Sequence, residues 1–90
     1  MKPVRWTEHA LRNLVDREID RAEVERAIAR PEFTAPDPPG RQIQMRRYFD
    51  EILQQTMLLR VVVEEKAEEI VVVTVYKTSQ INRYLKEWLA

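Results

Sequence analysis

Cysteine is absent from the 90-residue chain, which excludes disulfide cross-links and thiolate metal sites. A single histidine leaves any zinc site to rest almost wholly on carboxylates, so no structural metal is expected. No apolar run approaches the ~20 residues that a membrane-spanning helix requires. The opening Met1-Lys2-Pro3-Val4-Arg5 leads into polar helix and not into an apolar signal core, so a cytoplasmic protein with no membrane association is expected. Net charge is also missing: 15 basic residues balance 15 acidic ones. Binding to a polyanion through the overall field is thereby excluded, and any nucleic-acid site has to be a local patch. No Walker loop, dinucleotide fingerprint, nucleophile elbow or zinc motif occurs, and no cofactor is expected.

What the chain does contain is 44% hydrophobic and 33% charged residues, enough apolar area for one globular core and too short a length for two. Thr7 is placed to cap a first helix in which Ala10, Leu11, Leu14 and Val15 recur at spacings of three and four. Asp20 with Glu23 forms a capping-box pattern for a second helix that carries Val24, Ala27 and Ile28 inward, and Pro31 stops it. Residues 31–40 hold four of the five prolines and the only glycine, so neither helix nor central strand is expected there. That segment reads as a stiff connector pinned to the core by Phe33.

Three strand-like segments follow, at roughly 41–49, 56–64 and 69–77. The last two are valine-rich at nearly every position instead of every second one, which implies strands covered on both faces. The first alternates and carries Arg41, Arg46 and Arg47, as suits a sheet edge with one wet face. Glu64 to Glu69 lacks the residues of a tight primed turn, so a looser hairpin loop is expected. Ser79 is placed to cap a final helix with an apolar stripe of Ile81, Tyr84, Leu85, Trp88 and Leu89. The expected architecture is therefore one α+β domain over residues 1–90, with two N-terminal helices, a curved antiparallel sheet of three strands (or four), and a closing C-terminal helix.

Four places carry candidate chemistry. Arg60 is a permanent cation inside an otherwise apolar strand segment, where it has to be paired or useful. It either meets a carboxylate such as Glu8 or Glu18, or binds a phosphate that gains charge during cleavage. Thr74, Tyr76, Lys77, Thr78 and Ser79 place hydroxyls and an ammonium at a strand end just before a helix N-terminus, which suits phosphate. Register decides whether they meet Arg60: one pairing sets Arg60 opposite Thr74 with Tyr76 on the diagonal, and a slip of one residue sets it opposite Val73. His9 is an acid/base candidate only if its helix turn lies within proton-transfer reach of Arg60. Arg46, Arg47 and Arg41 form a basic strand on which Tyr48 could stack a base, although such arginines equally serve solubility.

The ordered residues His9-Ala10, Leu14, Arg17-Glu18-Ile19, Gly40-Arg41, Leu59-Arg60-Val61-Val62-Val63 and Val72-Val73-Thr74-Val75-Tyr76-Lys77-Thr78-Ser79 resemble a small bacterial and archaeal family of unknown function. That family has been grouped with the barnase, EndoU, colicin and RelE RNase fold, and the resemblance covers residues 7–84. It implies two helices packed on a curved antiparallel sheet and, in toxin members, metal-independent RNA cleavage by attack of the ribose 2′-hydroxyl. It also implies roles: His9 as acid/base, Arg60 as phosphate clamp, Thr74 and Tyr76 as orienting or protonating groups, and Arg46, Lys77, Thr78 and Ser79 as substrate contacts. Glu18 departs from the family pattern by standing where a glycine is usual, and Asn13 by standing where an arginine is common. The resulting expectation is an endoribonuclease acting on RNA, with a cognate antitoxin as partner. The alternative is a non-catalytic interaction or homodimerisation module using the sheet edge or the Trp88 stripe.

Overall fold

The computed structural model describes residues 2–89, with side chains through Leu85. In chain order the elements are β1 (Val4–Trp6), α1 (Glu8–Asp16), α2 (Arg21–Ala29), β2 (Phe33–Asp37), β3 (Arg41–Asp50), β4 (Gln55–Glu65), β5 (Ile70–Thr78) and α3 (Ile81–Leu89). The strands form one sheet in the order β1-β5-β4-β3-β2, in which β1 runs parallel to β5 and every other pairing is antiparallel.

The α+β class stands, but the expected sheet is corrected from three or four antiparallel strands to five mixed ones. Two strands were hidden in the sequence. β1 is only three residues long, too short to show a period, and it exists because β5 offers it a template from Ile70 to Val72. β2 lies within the proline-rich connector: Pro36 cannot donate to a ladder, yet it is tolerated because β2 is the outer strand, bonded on one side only to β3. The connector rule holds from Pro38 onward, where Gly40, at φ +91°, turns the chain into β3. β3 consequently is no edge strand.

β4 lies at the centre of the order and is buried from Met57 to Val63. Its alternation sends Leu59, Val61 and Val63 into a cluster with Ala10, Ile19, Val24, Ala27 and Ile28 of the α1–α2 layer. Leu58 points the other way, into a second cluster with Met45 and with Ile81, Tyr84 and Leu85 of α3. Two-sided cover explains the unbroken valine and leucine run, since every side chain there gains burial worth ~1.5–3 kcal/mol. The β4–β5 connection spans 66–69 and is closed by the Lys66 N–H donating to the Glu69 carbonyl at 2.8 Å, looser than a two-residue turn as expected.

α1 packs differently from its apolar pattern. Ala10 and Leu14 face the core, whereas Leu11 and Val15 are exposed. The helix runs along the stretch of β5 that β1 is too short to cover, and its polar residues satisfy that open edge. Thr7 Oγ1 donates to the Val73 carbonyl at 3.1 Å, the Val75 N–H donates to Asn13 Oδ1 at 3.0 Å, and Arg17 donates to the Val75 carbonyl at 2.7 Å. Edge groups that would otherwise invite a foreign strand are thereby occupied. Thr7 also caps the helix by accepting from the Ala10 N–H at 3.0 Å.

The α1 C-terminus is a Schellman turn. The Ile19 N–H donates to the Leu14 carbonyl at 2.9 Å and the Glu18 N–H to the Val15 carbonyl at 3.3 Å, while Leu14 and Ile19 share the core cluster. The turn sets Glu18 at φ +51°, the position that favours glycine. Asp20 then caps α2 by accepting from the Ala22 N–H at 2.9 Å, but Glu23 pairs with Arg26 instead of closing a capping box. At the other end of the chain the Gln80 N–H donates to Thr78 Oγ1 at 3.0 Å, a turn that leads into α3. Trp88 and Leu89 of the expected stripe lie outside the described side chains.

Glu18→Gly should therefore stabilise the chain by about 0.5–1 kcal/mol, because relief of the left-handed backbone outweighs the added freedom of the unfolded chain. Urea unfolding checks it: an unchanged or lower midpoint would show that the glutamate side chain contributes more than its backbone strain.

Candidate functional site

Alternation along β4 and β5 sorts the candidate residues between the two faces of the sheet. Arg60 pairs directly with Tyr76, and Val62 with Thr74. The observed register is therefore neither of the two expected, but it keeps the same parity, so Arg60, Thr74, Tyr76 and Thr78 all project on the α3 face. A register shift between Val62 and Val63 falls beyond this group and leaves it intact.

Arg60 is 9% exposed and makes no ion pair among the described residues; neither Glu8 nor Glu18 reaches it. Its guanidinium lies 4.0 Å from the ring centroid of Tyr84 and 5.1 Å from that of Tyr76. Two aromatic faces supply a cation–π attraction of ~1–2 kcal/mol each at such a buried position, but they accept no in-plane hydrogen bond. Nε is accordingly buried with no hydrogen-bond partner. A guanidinium held in this way has a fixed orientation and an unsatisfied Nε donor, a state that suits capture of an anionic oxygen. Burial pushes the Tyr76 phenol above its ordinary pKa despite the opposing Arg60 charge. Thr74 Oγ1 donates to Asn13 Oδ1 at 2.8 Å, which links this row of side chains to α1 at the sheet edge.

The other candidates lie elsewhere. His9 is exposed on α1, the helix whose Ala10 and Leu14 pack on the opposite face of the sheet, and among the described residues it makes no hydrogen bond, ion pair or ring contact with Arg60, Thr74 or Tyr76. Arg46 donates to the Arg30 carbonyl at 3.0 Å and so closes the C-terminus of α2. Arg47 forms a two-pronged pair with Glu32, at 3.2 and 3.1 Å, and Arg41 lies 3.9 Å from Glu64. Ser79 is exposed at the start of α3, beside an open cavity of about 550 Å³ that Arg47, Thr56 and Arg83 also line.

Lys77 projects on the helix-pair face. Its ammonium donates to Asp50 Oδ2 at 2.7 Å and to the Glu18 carbonyl at 3.1 Å. Asp50 is buried and also accepts from the Tyr48 hydroxyl at 3.0 Å and from the Ile52 and Leu53 N–H groups, both at 3.0 Å. The network ties the β3–β4 hairpin to the end of β5 and to the α1–α2 turn. Burial alone would raise the Asp50 pKa. The hydrogen bonds from Lys77, the Leu53 N–H and Tyr48, together with the Lys77 charge, outweigh burial and hold the carboxyl at about 2. Burial and the adjacent carboxylate raise the Tyr48 pKa.

Three participants had escaped the sequence. Tyr84 looked like one more apolar position of the α3 stripe, and its phenol gave no sign that the ring would stack on a strand arginine. Asp50 and Asn13 are polar residue types that by themselves read as surface positions. The only available clue was the clash of Asn13 with an otherwise inward helical face.

Because the folded pKa of Asp50 lies below its unfolded value of ~3.9, its contribution to stability is complete above about pH 5 and is lost as pH falls toward 2. Asp50→Asn should remove on the order of 1–2 kcal/mol at pH 7, and wild type and variant should converge in stability between pH 4 and pH 2. Denaturation midpoints measured across that window check it; a constant difference between the two proteins would show that the charge of Asp50 is irrelevant.

No curated protein and no solved structure matches the chain. A family model described as a domain of unknown function, DUF4258, matches residues 6–77, a span that takes in α1, the Schellman turn, the Lys77–Asp50 network and the strand pair carrying Arg60 and Tyr76. The chain belongs to the DUF4258 family.

Proposed function

We propose that the chain acts on RNA through the α3 face of its sheet, as a metal-independent endoribonuclease of the toxin type within the barnase, EndoU, colicin and RelE fold group. The observation that carries this reading is Arg60: a buried guanidinium flanked by two tyrosine rings, with no carboxylate partner among the described residues and an unsatisfied Nε. A structural arginine in so apolar a strand would be expected to meet an acid, whereas one kept for a phosphate has to be left free of it. Arg60 is the phosphate clamp in this scheme. Tyr76, which pairs directly with Arg60 across the β4–β5 ladder, is the donor to the departing 5′-oxygen. Tyr84 and Tyr76 offer faces on which a base can stack.

His9 is assigned no role here, since the fold does not join it to this group. In cleavage the 2′-oxygen attacks the phosphorus, its proton passes to solvent water, and the 5′-oxygen leaves with the proton that Tyr76 donates; RNA binding alone is the second reading that the same guanidinium favours.

Labelled single-stranded RNA incubated with the chain in EDTA should yield fragments ending in a 2′,3′-cyclic phosphate. Arg60→Met should lower that rate by about 100-fold or more, the range seen when a transition-state donor is removed. The same substitution should leave folding stability within ~1 kcal/mol of wild type, because the desolvation cost of the buried cation is removed together with its attraction to the two rings, and an apolar chain of similar length takes its place. Intact RNA whose binding still depends on Arg60 would reduce the function to binding. A large fall in stability with unaltered RNA binding and cleavage would make Arg60 structural and overturn both.

A further inference from the structure

On the helix-pair side of the molecule, away from Arg60, an open groove of about 530 Å³ separates the α1–α2 turn from the tip of the β3–β4 hairpin. Its charged lining is acidic throughout: Glu18, Asp20 and Glu23 on the helical wall, Asp50 and Glu51 on the hairpin wall. Asp50 is neutralised by Lys77 and Glu23 by Arg26. Glu18 and Glu51 have no ion pair among the described residues, and Asp20 has only its capping bond to Ala22.

The groove is also apolar. Ile52 lines it and is 63% exposed, and the adjacent Leu53 is 46% exposed. Singly scattered exposed apolar residues are ordinary; two large ones side by side on the hairpin tip that forms one wall of a groove make a patch of the kind that binds a partner. The hairpin tip is not loose either, since Asp50 holds the Ile52 and Leu53 N–H groups at 3.0 Å, so the apolar side chains are presented on a fixed support.

We propose that this groove docks a basic protein segment, one that places an aliphatic or aromatic anchor against Ile52 and lysine or arginine side chains toward Glu18, Asp20 and Glu51. Charge complementarity selects this occupant. RNA and anionic lipid would meet like charge, and among the described residues no three acidic groups are placed to hold a metal ion. The docking surface is independent of the reading of Arg60, which lies on the other face of the sheet.

The test is selection of binders to the full chain from a random dodecapeptide library, followed by titration of a selected peptide against wild type, Ile52→Ser and Glu51→Lys by fluorescence anisotropy. Selected sequences should be basic with an apolar anchor, their affinity should fall about tenfold with each substitution, and added salt should weaken them. Both positions are exposed, so the variants are expected to retain the wild-type circular dichroism and melting midpoint, and their affinity for RNA should be unaltered. Recovery of no binders, of acidic or uncharged binders, or of binders indifferent to both substitutions would overturn the proposal. So would sedimentation data showing a dimer that Ile52→Ser dissolves, which would assign the groove to a second copy of the chain.

Discussion

Every layer of this domain answers to the burial of β4 on both faces. A strand whose successive residues point to opposite sides cannot keep Leu58, Leu59, Val61 and Val63 from water unless something lies above and below it. The α1–α2 pair provides one cover and α3 the other, which is why a chain of this size forms two apolar clusters separated by a sheet. Arg60 sits in that same strand and is carried by the same alternation beneath α3. Its position is thus fixed by its apolar neighbours, and its chemical state by the two rings that the second layer places against it.

Polar side chains in this molecule serve the backbone more often than the surface. Thr7, Asn13 and Arg17 occupy the edge of β5 that the short β1 leaves open, Arg46 closes the end of α2, and Asp50 gathers two amides at the hairpin tip. Unpaired backbone groups are costly once buried, and a small sheet with short outer strands exposes many of them. Residues that look available for a ligand are consumed by this requirement. Lys77 is the clearest case, its ammonium shared between Asp50 and the Glu18 carbonyl. Arg60 contrasts with all of them because its Nε has no hydrogen-bond partner.

The helices capped by Thr7 and Asp20, the inward set Val24, Ala27 and Ile28, and the strands β3, β4 and β5 were legible from local pattern. Each of those signals is complete within a few residues. β1 and β2 were not legible, because three residues carry no period and because proline reads as a breaker unless the strand is known to lie at an edge. The exposed Leu11 and Val15 of α1 were misread for a related reason: spacing reports which residues share a helical face, but not whether that face meets a sheet or the sheet's border.

The sequence by itself determined that a charged residue would be trapped in a doubly covered strand and that hydroxyls would gather at the end of the next one, since burial and β-propensity are properties of short segments. Only the tertiary structure decided which of those residues meet. Register placed Tyr76 opposite Arg60, the second layer added Tyr84, and parity sent Lys77 and Arg46 to the far face. Contacts between residues distant in the chain depend on a displacement of one position between strands, and that displacement is fixed by the packing of all the layers together.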